Sequence, residues 1–480
     1  MIEIKNFING AWLDAQSGKK MDVIDPSKGE KYANLSYSNG TDVKSAINAA
    51  KDAFPIWKST PLEKRIKLML KLADLIDENA ESLVKAESLD NGKPLKLAQR
   101  VDIPRASSNI RFFAQAMSQF HGESFMMDDG SVNYTSYEPL GVVTCISPWN
   151  LPLYLFTWKI APALAVGNTI VAKPSEVTPY TAYLFGQLFE KAGFPKGVLN
   201  IVNGVGNEVG EELVKNPDIK AVSFTGSTRT GQIISQSVAG EFKKVSLEMG
   251  GKNPNVIFAD ADYDKMLATT IHSSFSNQGQ ICLCGSRILV QKSIYEKFLH
   301  DFVEKTKKLK VGPPSEPDTK VGAIVSKEHY NKILKHIEIA KEEGGMILCG
   351  GHAKKLDGEY SNGYYIEPTV IVNLDQKCRS NQEEIFGPVV TVDTFETLDE
   401  AIEKSNSTAY GLSATVWTKD TNKAIRASRE IKAGIVWVNC WLKRDLRTPF
   451  GGVKNSGVGR EGGFHALKFF TEVKNTCISQ

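Results

Sequence analysis

The chain of 480 residues is short of histidine and cysteine, with seven of each, and its shortages narrow the field before any motif is read. The cysteines are odd in number, irregularly spaced and without a CxxC pair, so neither a zinc site nor a compact disulfide framework is expected. Reduced thiols in a cytoplasmic setting follow. The histidines are scattered without ligand spacing, and no metal is expected. Neither sign of charge dominates: the formal net charge is +3, Lys-rich pieces such as 305–310 read as solvated helix faces, and no nucleic-acid partner is expected. Long apolar runs are also missing. The most apolar region, 151–172, is interrupted by Lys159 and Asn168 and punctuated by Pro152 and Pro162, which suits a buried helix and strand better than a membrane span. The first residues carry no basic segment leading into an apolar stretch, so no secretory signal is expected.

What is present is ordinary globular composition, 41% hydrophobic and 24% charged, enough to build cores and too apolar for long disorder. The length exceeds what one core supports, so at least two domains are expected. From Leu140 onward, short β-branched runs at 142–146, 169–172, 198–202, 221–224 and 245–247 alternate with helical stretches at 154–166, 180–192, 207–215 and 230–238. Strands spaced by such helices predict parallel βαβ crossovers and a doubly wound, Rossmann-like α/β sheet that binds ligands at its carboxyl edge. A second αβ series runs from 254–258 through strands at 287–291, 365–372, 389–395, 414–418 and 434–438, with helices at 295–309 and 398–405. The division expected is 1–121 with 138–250, then 251–465. Segments 122–137 and 466–480 alternate like strands without neighbouring helices, and read as a small β arm and tail. An unpaired ribbon needs cover, so a homo-oligomer, dimer or tetramer, is expected.

Two residues carry the chemistry. Cys282, in Gly279-Gln280-Ile281-Cys282, is a candidate nucleophile, and Glu248, in Leu247-Glu248-Met249-Gly250-Gly251-Lys252, is a candidate base; together they point to aldehyde oxidation through an enzyme thioester. Taken singly, the thiol reads equally as a buried bystander and the Glu as a strand end. The turn Ser223-Phe224-Thr225-Gly226-Ser227-Thr228-Arg229-Thr230-Gly231 leads from a strand into a helix and suits a phosphate at a helix N-terminus. It is not the GxGxxG fingerprint, and Gly204-Val205-Gly206-Asn207-Glu208-Val209-Gly210 has the wrong spacing for one. Lys173-Pro174-Ser175-Glu176 reads either as a strand-ending turn or as a place where a ribose meets a cation and an acid.

With Pro148-Trp149-Asn150, these motifs fall in one order, and Phe7-Ile8-Asn9-Gly10, Glu383-Glu384-Ile385-Phe386-Gly387-Pro388 and Pro449-Phe450-Gly451-Gly452 extend it. In this order the chain resembles the NAD(P)-dependent aldehyde dehydrogenase superfamily over nearly its whole length. The resemblance implies that Cys282 attacks the aldehyde, that Asn150 and the Cys282 amide form the oxyanion hole, and that Glu248 activates the water that hydrolyses the thioester. It implies a cofactor site in which Lys173 and Glu176 meet the adenosine ribose, Ser227 the pyrophosphate, and Glu384 with Phe386 the nicotinamide ribose, lined also by Trp149 and Gly226. A carboxylate at Glu176 repels a 2′-phosphate, so NAD is expected ahead of NADP. Cys284 departs from the family pattern; it shapes the pocket, forms a protective disulfide with Cys282, or fills space.

The run Asn439-Cys440-Trp441-Leu442-Lys443-Arg444-Asp445-Leu446-Arg447-Thr448-Pro449-Phe450 is similar to the substrate loop of the 2-aminomuconate and 2-hydroxymuconate semialdehyde dehydrogenases, and Asp102-Ile103-Pro104-Arg105 to their tunnel helix. That implies Arg105 and Arg444 as holders of a substrate carboxylate, unless each pairs with a local acid, Asp102 or Asp445. The substrate expected is an acidic semialdehyde of muconate type; the alternative is a broad aliphatic or aromatic aldehyde in an apolar tunnel of Trp441, Phe450, Leu151 and Trp158. Acyl transfer to coenzyme A is disfavoured by Glu248, a cysteine hydrolase using His272 by the lack of a motif placing it as base, and a silent scaffold by the presence of Cys282, Glu248 and Asn150.

Overall fold

The computed structural model describes residues 1–479, and two parallel sheets dominate it. In the first, the strands Lys244–Glu248, Ile219–Thr225, Val142–Ile146, Thr169–Lys173 and Leu199–Ile201 lie side by side in that order, all parallel. Chain order reverses between Val142–Ile146 and Ile219–Thr225, so the crossovers diverge there and leave a crevice at the carboxyl ends. Most of their residues are buried, as expected of parallel strands covered on both faces. Antiparallel additions close the two edges, Asn6–Ile8 with Ala11–Leu13 at one and Gly457–Val458 at the other.

The helix Pro152–Val166 is buried along its whole length. Pro152 starts it with a preset φ, and Gly167 ends it in the left-handed region at φ 102°. Packed outside it are Leu62–Glu78, Ala80–Asn91 and Ile103–Ala116, whose Leu72, Ile76, Ile110 and Phe113 enter the same core. The turn just before Ile103 is a π-helix, Ala98–Asp102, a widening that alters which side chains face the neighbouring helix.

The second sheet follows at once. From the end of Lys244–Glu248 the chain passes through Gly250 to Asn253 into Pro254–Ile257, a central strand of a sheet that also holds Arg287–Gln291, Val389–Phe395, Thr369–Val372, Ser413–Trp417 and Ile435–Val438 in parallel. Met346–Cys349 joins its edge antiparallel. The carboxyl edge of the first sheet therefore faces the start of the second, and the crevice lies between them.

Several expectations need correction. The run read as one strand over 365–372 is two, Tyr365–Ile366 and Thr369–Val372, divided at Pro368, which has no N–H to give a ladder. The tail read as strand from 466 begins as a helix, Gly463–Phe469, and becomes the strand Thr471–Ile478 only afterwards; Ala466, Leu467 and Phe470 are buried together at helical spacing. That strand pairs with Val132–Pro139, and Ser124–Met126 lies on the other side. The helix expected over 207–215 opens with a π turn, Gly206–Gly210. No helix among the described residues is long and apolar enough to cross a membrane, and all seven cysteines are free.

Candidate active site

Four turns at the carboxyl edge of the first sheet meet a loop from the second. After Val142–Ile146 come Trp149 and Asn150; after Ile219–Thr225 come Gly226 and Ser227; Lys173 ends the next strand, and Glu248 is the last residue of the edge strand. From the second sheet comes the loop carrying Cys282, between Tyr263–Phe275 and Arg287–Gln291.

The Cys282 loop is held rather than free. Asn277 and Gln278 adopt left-handed backbone, φ 51° and 57°, at a cost of about 1 kcal/mol or more each for residues with a Cβ. Their side chains offset it: Asn277 Nδ2 donates to the Asn150 carbonyl at 3.0 Å, and Gln278 Nε2 to the Ala323 carbonyl at 3.0 Å. At Gly279, φ 69°, a Cβ would stand 2.1 Å from the Gly387 carbonyl oxygen, so glycine is required where the two loops cross. Beyond the turn, Asn253 Nδ2 bonds the carbonyls of Cys282 at 2.7 Å and Cys284 at 2.9 Å, while Trp441 Nε1 bonds that of Leu283 at 2.9 Å. Asn150 points its own amide at this loop, Nδ2 donating to the Gln280 carbonyl at 3.0 Å.

Cys282 and Glu248 line the same cavity, of about 70 Å³, with Arg444, Phe450, Glu461 and His272. Neither Glu248 carboxylate oxygen has a hydrogen-bond partner although the side chain is buried. Burial, and after it the nearby Glu461, raises this carboxyl well above its ordinary range; Lys159, Arg460 and Arg444 pull the other way. Glu461 arrives through the pairing of Gly457–Val458 with Lys244–Glu248. Its Oε1 takes Lys159 Nζ at 2.7 Å and the Ser223 hydroxyl at 3.2 Å. Desolvation, then Glu384 and Glu248, push the Cys282 thiol up, against the pull of Arg444. Burial thus favours its thiol over its thiolate form. Cys284 is buried, its thiol pushed up to about 12 by burial, and bonded to Cys282 by no disulfide.

On the other side of Cys282 lies a cleft of about 220 Å³ lined by Trp149, Asn150, Gly226, Ser227, Glu384 and Phe386 among others. Ser227 caps the helix Thr228–Val238 by accepting from the Thr230 amide. Glu384 accepts from the Gly251 amide at 2.9 Å, and a Cβ on Gly250 would stand 2.0 Å from its Oε2; the paired glycines make room for this carboxylate. Phe386, at φ 60°, packs edge-on against Trp149 with centroids 5.2 Å apart. His329, which the sequence did not single out, bonds the Phe386 carbonyl through Nε2 at 2.7 Å, and burial lowers its pKa to about 4, so it stays neutral. Lys173 and Glu176 are outside the lining of this cleft, on the adjacent strand end, paired with each other at 2.9 Å.

Arg444 and Phe450 line the cavity; Arg105 and Trp158 are outside its lining, and pack against Tyr154 and Arg444, which belong to it. Tyr154 joins the two arginines. Its hydroxyl accepts from Arg444 Nη1 at 2.8 Å, and the Arg105 guanidinium lies 5.4 Å from its ring centroid. The local acids are engaged elsewhere, Asp102 by Lys93 at 3.1 Å and Asp445 by Arg447 at 2.6 Å. Arg105 leaves Nε and Nη2 buried without a partner. His272 stacks edge-on against Trp441 at 5.4 Å, with its pKa lowered by burial. Lys159, Glu461, Tyr154 and Asn253 went unassigned in the sequence; the one signal was Lys159, a cation in a run otherwise fit for complete burial.

The aldehyde dehydrogenase family model matches residues 12–476. The 2-aminomuconic semialdehyde dehydrogenase of Danio rerio is 49% identical over 99% of this chain and 98% of its own. The 2-hydroxymuconic semialdehyde dehydrogenase of Pseudomonas sp. (strain CF600) is 41% identical over 100% of both. Among solved structures, betaine aldehyde dehydrogenase from Staphylococcus aureus in complex with NAD+ superposes with a TM-score of 0.96 at 39% identity, over 99% of this chain and 94% of that one.

Proposed function

The chain belongs to the aldehyde dehydrogenase family, and from that premise we propose that it oxidises an acidic semialdehyde of muconate type to the dicarboxylate with NAD, using Cys282 as nucleophile, Glu248 as base and Asn150 as oxyanion donor. The observation that carries this reading is the cavity itself. Its wall holds a thiol, a buried carboxylate with both oxygens free, and Arg444, which no carboxylate among the described residues pairs with.

Glu248 takes the Cys282 proton, directly or through water, and the thiolate sulfur bonds the aldehyde carbon. The carbonyl oxygen becomes an oxyanion that the Asn150 amide and the Cys282 N–H stabilise. NAD, when bound, supplies a hydride acceptor at the nicotinamide C4. Loss of hydride from the thiohemiacetal leaves a thioester on Cys282. Glu248 gives up the first proton to solvent and then takes one from water, whose oxygen attacks the acyl carbon; the C–S bond breaks, the acid departs, and the Cys282 thiolate recovers its proton from Glu248. Glu461 and Lys159 set how readily Glu248 holds that proton.

The cleft suits the cofactor. Glu384 hangs over glycines that leave space beside it, Phe386 and Trp149 wall one side, and Gly226 and Ser227 open a helix N-terminus to a pyrophosphate. The Lys173–Glu176 pair on the next strand end meets the adenosine ribose, and Glu176 disfavours a 2′-phosphate, so NAD is preferred to NADP. In this division 1–121 with 138–250 binds cofactor, 251–465 brings the thiol, and 122–137 with the strand Thr471–Ile478 forms an arm. Phe125 and Met126 on that arm are 56% and 80% exposed, which supports a homo-oligomer, dimer or tetramer. A cytoplasmic setting agrees with seven reduced thiols.

Leu97, Val101, Leu151, Leu155 and Phe450 on the cavity wall favour a second reading, a broad dehydrogenase of apolar aldehydes. Trapping tests the chemistry common to both: in Glu248→Gln, mass spectrometry of enzyme given NAD and an aldehyde is expected to find an acyl group on Cys282. Its absence, with turnover intact, would sink the mechanism.

A further inference from the structure

Asn150 has a support that the reaction chemistry above does not use. Lys93 is wholly buried between Glu87 at 3.6 Å and Asp102 at 3.1 Å, themselves wholly buried. Its Nζ donates at 3.1 Å to the main-chain oxygen of Asn150. Asn91, two residues earlier, sends Nδ2 to the carbonyl of Trp149 at 2.9 Å and to that of Asn150 at 3.4 Å. Glu87 reaches the far side of the same turn, where Oε2 accepts from the Leu153 amide at 3.3 Å. With Asn277 Nδ2 at 3.0 Å, the carbonyl of Asn150 collects donors from Asn91, Lys93 and the Cys282 loop.

One carbonyl needs one donor to satisfy it. Three, one of them an ammonium, do something else: they register separate segments against a single atom. Asn277 brings the nucleophile's loop, Lys93 and Asn91 bring the end of the helix Ala80–Asn91, and Asp102 brings the turn that leads into the Arg105 helix and lines the substrate cavity. A buried charge cluster is a poor way to gain stability, since apolar side chains of the same volume commonly serve as well. Its distinctive property is directional restraint.

We propose that the Glu87–Lys93–Asp102 cluster, with Asn91, is the positioning element of the oxyanion site, holding the main chain at Asn150 so that its side-chain amide stays beside Cys282. The inference rests on the oxyanion role given to Asn150 above. Lys93 touches no reacting atom and acts through Asn150.

A double-mutant cycle in the complete enzyme tests it, read as the single-turnover rate of NADH formation, with NAD affinity measured separately. Lys93→Met combined with Asp102→Asn removes the cation and one carboxylate together; Asn91→Leu removes an uncharged donor to the same carbonyl and serves where the first variant does not fold. Each is expected to slow NADH formation by about 10- to 100-fold, less than or equal to the loss of an oxyanion donor, with NAD affinity unchanged. Added to Asn150→Ala, neither should cost anything further. Losses that multiply with that of Asn150→Ala, or folded variants with the parent rate, overturn the inference while leaving the oxyanion role intact. A parent rate in Asn150→Ala alone overturns that role, and the inference with it.

Discussion

Arg444 donates from Nη1 to the Tyr154 hydroxyl at 2.8 Å, while its guanidinium lies over the Phe450 ring, 4.0 Å from the centroid. A cation held by a neutral hydroxyl and an aromatic face keeps its full charge available to an incoming anion. Tyr154→Phe removes the hydrogen bond and leaves the ring. At about 1 kcal/mol for such a bond, KM for a carboxylated aldehyde is expected to rise about fivefold, with KM for a neutral aldehyde unchanged. Equal effects on both would mean that Tyr154 shapes the cavity rather than aims the cation.

The proton chemistry of Glu248 has a sign that can be checked. Lys159 lowers its pKa and Glu461 raises it, so the two substitutions act in opposite directions. In a pH profile of thioester hydrolysis, Lys159→Met should move the rising limb to higher pH and Glu461→Gln should move it to lower pH. Because the groups titrate together, the limb belongs to the set. Shifts in the same direction would remove Glu461 and Lys159 from the proton path.

Removing the base itself should cost about 10²- to 10⁴-fold in the hydrolytic step, measured as steady-state kcat in Glu248→Gln, with the first turnover of NADH slowed as well because the same carboxylate opens the Cys282 thiol. Loss confined to the first turnover would assign Glu248 to thiol activation alone.

Stability carries the same signature. The folded-state pKa of Glu248 lies above the ordinary 4.5, so between the two values the folded protein binds the extra proton and stability falls as pH rises. Glu248→Gln abolishes that loss. Its Tm should exceed the parent's above the raised pKa and converge with it toward pH 4.5, in thermal melts across that window. A gap independent of pH would locate the effect in packing.

Glu176→Gln removes the charge set against a 2′-phosphate. The ratio of kcat/KM for NADP over NAD should rise about tenfold, a change of about 1.4 kcal/mol. An unchanged ratio would place cofactor choice elsewhere.

Much of this was legible in the sequence for a definite reason. Buried parallel strands are short apolar runs with turn residues at both ends, and Arg287–Gln291, Val389–Phe395 and the helix Tyr180–Ala192 fall where the pattern put them. Motifs at strand ends were legible because the fold itself gathers strand ends, which brings Asn150, Gly226, Glu248 and Cys282 to one crevice. Long-range pairings left little local trace. Lys159 meets Glu461 across 302 positions, and nothing near either residue names the other. Lys93 looks like any lysine after a helix-ending glycine until Glu87 and Asp102 close around it. The helix Gly463–Phe469 was mistaken for strand because Phe469, Phe470 and Val473 favour strands, while burial of Ala466 and Leu467 decides the local structure.

Absorbance-monitored NADH formation shows whether Arg444 grips an acidic semialdehyde at its carboxylate. ω-Carboxylated, aliphatic and aromatic aldehydes are compared for the parent and Arg444→Ala. The highest kcat/KM is expected for the carboxylated aldehydes in the parent, with a loss of about 10²-fold or more in the variant for those substrates alone, as for removal of a charge-assisted pair of about 3 kcal/mol. Uniform rates across the panel, untouched by the substitution, would contradict it and leave a dehydrogenase of broad aldehyde scope whose arginines brace the cavity wall.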